Sequence, residues 1–310
     1  MKVAVIDCGT NTFNLVIAEI FDQVRYNKLY NTRIPVKLGE AAINNGFIAD
    51  AAFERGIEAL RLFNDRVRKL NVEKILAFAT SAIRDASNGT LFVKRVKDEL
   101  DIDIMVIDGN REAELIYYGI RGAVTMKKEP SLIMDIGGGS NEFVIANKDG
   151  FSWKQSFKIG AARILDRFPH SNPIKSNEIE TINAYLLDEL KPLITAVQEK
   201  KPIELIGSSG AFDSIIEMIH GEYNGEPLRA EKTEYVVEEN SYRKIVDRIM
   251  SSTLEERKQI KGLVPMRFDM IVISCIMIDL VLKIINTNKM RVSTYSLKEG
   301  ALLEFMQQIK

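Results

Sequence analysis

The sequence predicts a duplicated α/β protein: two domains, each a mixed sheet covered by helices. Three observations carry that expectation. Residues 7–18 and 135–146, offset by 128 positions, align without a gap, with Asp, Gly, Val, Ile and Ala recurring and Thr12 answering Ser140. Each copy follows an apolar run, 3–6 or 132–134, so each reads as strand, tight turn, strand. Helical periodicity begins only after those paired strands, which makes a mixed sheet rather than simple βαβ alternation. The offset is that of a duplicated domain, because solenoid repeats run only about 20–50 residues.

Along the first half, strands are expected at 3–7, 14–20, 25–36, 73–78 and 103–107, with helices near 50–70, 89–99 and 109–125. In the 109–125 segment, Glu112, Ile116, Gly119, Ile120 and Ala123 share one face, so Glu112 heads an apolar stripe while Glu114 falls on the side of Tyr118 and Arg121, toward solvent. Lys127-Lys128-Glu129-Pro130 punctuates the pattern, which places the domain break at 123–130. The second half repeats the plan, with strands at 131–135, 142–147, 151–157, 203–207 and 290–294. Its helices are expected near 160–167, 177–198, 209–219, 238–250, 264–287 and 297–308. Asn177 is the expected N-cap of the third-quarter helix, with Glu180 three residues on. The polar stretch 221–240 reads as a surface loop. The domains expected are therefore 1–124 and 125–297, with a C-terminal helix at 298–310 that can pack back on the first.

Composition narrows the partners. The chain has 310 residues, 46% hydrophobic and 27% charged, and a net charge of −1, so no global basic surface attracts nucleic acid or an anionic membrane. The most apolar stretch, 270–285, contains Asp279 and Lys283 and reads as a buried core helix, not a span. The N-terminus meets Asp7 after four apolar residues, too soon for a signal peptide. Cys8 and Cys275 are too few for a disulfide framework and suit a reduced, cytoplasmic setting.

The paired turns are the functional signal. Small and hydroxyl residues let backbone N–H groups approach an anion, and a leading Asp can hold a cation beside it. Gly9, Thr10, Asn11 and Thr12 make the first turn; Gly137, Gly138, Gly139, Ser140 and Asn141 make the second; Asp7 and Asp135 lead them. A third small-residue cluster, Gly207-Ser208-Ser209-Gly210, follows an apolar strand and opens a helix, a ready anion site or an ordinary βα connection. Arg84 stands at an expected strand end, where α/β sheets face ligands, whereas a surface salt bridge is the default for Arg163, Arg267 and Lys298. Glu112 is a candidate positioned carboxylate. Other chemistries fit poorly. His170 and His220 are the only histidines and sit in polar loop contexts, no Walker A motif occurs, and Cys8 lacks the Cys-x5-Arg loop of tyrosine phosphatases because Asn14 stands at the sixth place. Asp101 to Met105 lacks the last residue and the buried strand of an aspartyl-phosphate motif. What remains is attack by water, positioned by a carboxylate and a divalent cation.

Together these motifs resemble the exopolyphosphatase / guanosine pentaphosphate phosphohydrolase family, within the actin, sugar-kinase and heat-shock ATPase superfamily. The resemblance rests on 7–12, Ala-Thr-Ser-Ala-x-Arg at 79–84, 110–116, 135–142, Gly-Ser-Ser-Gly at 207–210, Pro265-x-Arg267-x-Asp269 and Ser296 to Gly300. It implies two actin-like (ribonuclease H-like) domains with an active-site cleft between them. It also implies magnesium-dependent attack of water on a terminal phosphate of inorganic polyphosphate, or of guanosine pentaphosphate. Glu112 would be the catalytic carboxylate, Glu142 and Asp135 would serve metal and water, and Arg84 and Arg267 would bind phosphate. The resemblance allows a homodimer. Two residues depart from the family pattern: Asn14 stands where Arg is frequent, and Arg111 where a glutamate is usual. A third departure is that long members continue past this length, which leaves grip on long chains open. Rival readings are an ATP-dependent small-molecule kinase, with 207–210 as its adenosine loop, and a non-catalytic phosphate sensor.

Overall fold

The structure, a computed structural model, describes residues 1–40, 43–221 and 231–309. They fall into two units, the described residues of Met1–Gly122, Gly137–Gly139 and Tyr295–Lys310, and those of Ala123–Ile136 and Ser140–Thr294. Each unit is an α/β body of actin-like (ribonuclease H-like) type.

In the first unit, β1 (Lys2–Cys8), β2 (Thr12–Ile20) and β3 (Tyr26–Pro35) form an antiparallel meander, and β4 (Lys74–Ala79) and β5 (Ile104–Val106) add in parallel, in the order β3-β2-β1-β4-β5. Parallel pairing needs a crossover. It is made by α1 (Asp50–Lys69), then by α2 (Ser81–Arg84) and α3 (Gly89–Leu100). Alternation along β1 and β2 turns Ala4, Ile6, Phe13 and Leu15 toward Phe53, Phe63 and Phe92 of α1 and α3, where Phe53 and Phe92 meet edge to face at 5.0 Å. On the opposite face of the two strands, Val3, Val5 and Val16 are also fully buried. α12 (Leu297–Gln308) lies along β1 and β2. It crosses α4 (Gly109–Ala123) with the backbones in contact: a Cβ on Gly300 would stand 1.7 Å from the Leu115 carbonyl oxygen, and one on Gly119 2.1 Å from that of Ser296.

The second unit has a six-stranded sheet in the order β10-β11-β9-β6-β7-β8. Its strands are β6 (Ser131–Ile136), β7 (Asn141–Asn147), β8 (Gly150–Phe157), β9 (Leu205–Ser208), β10 (Glu234–Val237) and β11 (Met290–Ser293). The meander β6-β7-β8 repeats that of the first unit, and β9 and β11 add in parallel. Helices α5 (Ala161–Arg167), α6 (Ser176–Glu189), α7 (Lys191–Lys200), α8 (Ser209–Ile219), α9 (Glu239–Ser251), α10 (Leu254–Arg257) and α11 (Met270–Ile284) complete it. α11 is buried on nearly every side, as an all-apolar helix requires. Among the described residues no helix is long and apolar enough to cross a membrane.

Several sequence expectations need correction. The single helix expected at 177–198 is two, broken at Leu190, with Pro192 in the first turn of α7 because proline is tolerated there and not in an interior. Its cap is Lys175, not Asn177: Glu178 accepts the Lys175 N–H at 2.7 Å and the Ser171 N–H at 2.9 Å, so Glu180 has no capping role. These bonds, the Ser171 hydroxyl first, hold the Glu178 carboxyl at about 2, below its usual 4.5. The 264–287 helix opens as a separate 3-10 turn, Pro265–Arg267. The loop expected at 221–240 contains β10 and the start of α9, while 222–230 lie outside the described residues.

Where the second unit begins, a buried charge network ties the entering chain to the sheet. Glu204, 1% exposed, accepts from Arg291, from Lys127 at 2.6 Å and from Ser131 at 2.8 Å. Arg291 also meets Glu234 at 2.6 Å and the Thr125 carbonyl at 3.1 Å. Burial alone would raise the Glu204 pKa, but the bonds from Arg291, Lys127 and Ser131 outweigh it and hold the carboxyl below its usual 4.5. A depressed folded pKa means that this stability is present above the ordinary glutamate range and is lost as pH falls through the folded value. Arg291→Met should therefore destabilise by up to about 3 kcal/mol, because it leaves the buried Glu204 with only Lys127 and Ser131. Glu204→Gln with Arg291→Met should recover much of that and flatten the acid limb of the stability curve. Denaturant melts from neutral to acid pH read both; equal losses in single and double variants would exclude the network.

Candidate active site

In the first unit, the turn between β1 and β2 has its carbonyls tied back. The Asn11 oxygen accepts from the Val36 and Lys37 N–H groups, both at 2.9 Å, and the Thr10 oxygen from Gly39 at 3.3 Å. Arg55 braces that support, donating to the Val36 carbonyl at 2.9 Å and the Lys37 carbonyl at 3.2 Å. The tip of the second turn, Gly137–Gly139, belongs to this unit. A Cβ on Gly139 would stand 2.5 Å from Ser81 Oγ and 2.7 Å from Thr10 Oγ1, and one on Gly138 3.1 Å from Thr10 Cβ. The glycines therefore answer to crowding by hydroxyl residues, and neither is among the positive-φ glycines.

Arg84 lies on α2, not at a bare strand end. Its Nη1 donates to the Ile107 carbonyl at 3.0 Å and to Glu112 at 2.9 Å. Glu112, 7% exposed, sits in the first turn of α4, where the helix dipole favours an anion. The two side chains singled out separately are thus one ion pair. Glu114 is less wet than expected: it is half-buried, 3.3 Å from Arg111, and accepts from Tyr118 at 3.2 Å. Asp7 accepts from Asn14 Nδ2 at 3.0 Å. Beside it, Cys8 is fully buried, and burial first, then the Asp7 charge, push its thiol well above the usual range, so it is no nucleophile.

In the second unit, a polar row crosses four strands in register: Ser208 on β9, Asp135 on β6, Glu142 on β7 and Ser156 on β8. Paired positions share a face of the sheet, and the bonds follow the pairing. Ser208 Oγ donates to Asp135, and Ser156 Oγ donates to Glu142 at 2.7 Å. Asp135 is 5% exposed and Glu142 1%. Asn141 precedes Glu142 on the strand and so faces the other way. Fully buried, its amide meets Met277 Sδ at 3.3 Å within the core, which removes its side chain from the phosphate ligands. Among the described residues no group of three or more His, Cys, Asp or Glu could hold a metal ion. The donor set is a carboxylate pair with hydroxyls, which suits a hard cation that keeps waters and shares substrate oxygens, as Mg2+ does.

Ser208 also stands at the N-cap of α8, but its hydroxyl serves Asp135 and makes no cap bond. Ser209 has φ +72°, a strained value for a non-glycine residue. Arg267 covers this helix start: a Cβ on Gly210 would meet its Nη2 at 2.2 Å, and its Nη1 donates to Ser214 at 2.7 Å. The reading of the sequence missed Arg257, 1% exposed, which donates to the carbonyls of Phe268 and Ser252 at 2.8 and 2.7 Å and to Asn172 at 2.6 Å. It fixes the residue next to Arg267, and no local pattern marks it. Ser156 was also missed, although its place opposite Glu142 follows from counting residues along the meander.

Comparison with known proteins gives a consistent answer. A family model described as the Ppx/GppA phosphatase family matches residues 16–309. A crystal structure of an exopolyphosphatase from Cytophaga hutchinsonii is 39% identical, covers 100% of this chain and 99% of its own, and superposes with a TM-score of 0.97. Exopolyphosphatase 2 of Mycobacterium tuberculosis is 31% identical over 227 residues, 69% of each chain. A bifunctional 3-dehydroquinate synthase/phosphatase of Fusobacterium nucleatum is 31% identical over 97% of this chain, which spans 46% of that relative's length.

Proposed function

The chain belongs to the Ppx/GppA phosphatase family, and from that premise we propose that it is an exopolyphosphatase, releasing orthophosphate from the end of inorganic polyphosphate. The observation that carries the reading is the buried Asp135–Glu142 pair, set in register between two serine hydroxyls. Two carboxylates one strand apart disfavour each other's charge, and a divalent cation relieves that repulsion. Asp135 and Glu142 would hold the ion. When bound, Mg2+ supplies charge neutralisation at the phosphate oxygens.

The rest falls to the chain's own groups. In the first unit, the N–H groups of the two glycine-bearing turns would cradle phosphate; in the second, the start of α8 under Arg267 offers an anion-binding group of its own. Glu112 would accept a hydrogen bond from the attacking water and take its proton as the new P–O bond forms. The anhydride P–O bond then breaks, and the shortened chain leaves with the bridging oxygen. Arg84 holds Glu112 through Nη1, and its guanidinium carries further N–H donors for a phosphate oxygen.

The expected result in an assay with magnesium is phosphate release from polyphosphates, slower release from guanosine pentaphosphate, little from ATP, and loss of all three on chelation. Dominant release from guanosine pentaphosphate would move the substrate to the nucleotide. ATP consumption that requires a small-molecule acceptor would make the protein a kinase, and tight phosphate binding without turnover would make it a sensor.

A further inference from the structure

We propose that Asn45 is a self-modification site, at which the chain deamidates through attack of the Gly46 amide nitrogen on the asparagine side chain. Glycine after asparagine favours that reaction, because no Cβ shields the nitrogen and the backbone turns freely. The described residues contain the dipeptide twice, at Asn45-Gly46 and Asn88-Gly89; a third, Asn224-Gly225, lies outside them. Sequence makes the two alike, and only their surroundings separate them. Asn88 is committed on every side. Its Oδ1 accepts the Ile48 N–H at 2.9 Å, and its Nδ2 donates to the Ile48 carbonyl at 2.8 Å. Its own carbonyl takes the Phe92 N–H at 3.1 Å, and the Gly89 N–H donates to the Ala86 carbonyl at 3.0 Å. A Cβ on Gly89 would stand 2.0 Å from the Ile83 carbonyl oxygen, so backbone crowds this glycine.

Asn45 differs in each respect. It is exposed, it closes a single 3-10 turn, Ile43–Asn45, and among the described residues its side-chain amide has no hydrogen-bond partner. A Cβ on Gly46 would meet nothing nearer than the Asp85 carbonyl oxygen at 3.8 Å, and Gly46 holds φ +69°, a value that glycine adopts without strain. The reaction needs only water. Gly46 N gives its proton to hydroxide and bonds to Asn45 Cγ; the Cγ–Nδ2 bond breaks, and the nitrogen leaves as ammonia. Water then opens the cyclic imide at either carbonyl, giving aspartate or isoaspartate, so that one water is consumed for each ammonia released. Conversion adds a carboxylate, and in the isoaspartyl product a main-chain carbon, to a segment attached at both ends. On one side the Ile43 N–H donates to the Gly39 carbonyl at 3.1 Å, and the Gly39 N–H supports the Thr10 carbonyl of the first glycine-bearing turn. On the other, the Gly46 carbonyl accepts the Ser87 N–H at 2.8 Å, in the loop that follows α2.

The test incubates the native protein at mildly alkaline pH, where the amide nitrogen loses its proton more often, and maps its peptides by mass over time. Asn45 should convert to aspartate and isoaspartate at least about tenfold faster than Asn88, because attack at Asn88 must first open both bonds to Ile48. In denaturant both dipeptides lose their surroundings, and the two should convert at similar rates. Equal rates in the native protein, a faster Asn88, or no conversion at Asn45 overturns the proposal. So does a contrast that survives in denaturant, since it would then belong to the neighbouring residues in sequence and not to the fold.

Discussion

Glu112→Gln should lower kcat by about 10²–10⁴-fold, the range for losing a positioned general base, while polyphosphate affinity changes little. The substitution keeps the side chain's shape and an oxygen acceptor for Arg84, which the Ile107 carbonyl also anchors. What is lost is basicity toward water, so the effect should fall on kcat more than on KM. Glu114→Gln is the control on the same helix. It gives up a 3.3 Å contact with Arg111, but Arg111 keeps Glu304 at 2.8 Å, so the variant should fold and turn over normally. Steady-state kinetics on both variants decide the matter. A damaging Glu114→Gln beside a benign Glu112→Gln would reverse the assignment; if neither matters, Glu142 is the next carboxylate to replace.

The second large effect concerns folding. Gly300→Ala adds one carbon at a point 1.7 Å from the Leu115 carbonyl oxygen, where the obstacle is backbone and cannot rotate away. α12 would have to lift from α4, and the cost should be about 3 kcal/mol or more, at the upper end for overpacking. Gly122→Ala serves as contrast: its new carbon would meet the Leu303 side chain, 2.3 Å from Cδ1, a flexible end that can rotate away, so the melting temperature should hardly move. Near-identical thermal melts for the two variants would show that the helix crossing is looser than it looks.

The duplicated strand–turn–strand units were legible because apolar alternation and a gapless internal match are local signals. Asp135 and Glu142 were readable for the same reason. Other features depend on partners distant in sequence. α2 has four residues, Ser81 to Arg84, too few to show a period, so Arg84 read as a strand end. β10 is short and lies in a polar stretch, and it exists because β11 pairs with it. Asn141 was grouped with Glu142 by motif, although strand alternation alone sends neighbours to opposite faces. That Arg84 and Glu112 form one pair, or that Arg257 gathers three loops, follows only from the tertiary fold.

The two cysteines have a practical consequence. Cys8 and Cys275 are both fully buried, and burial raises both thiols, Cys8 helped by Asp7 and Cys275 by Asp279. Thiolate, the species that maleimides and oxidants attack, is scarce at both. The native chain therefore behaves as if it had no cysteine at all. A cysteine introduced on the exposed face of either unit becomes the sole handle for a fluorophore or spin label, without first stripping the protein of its own.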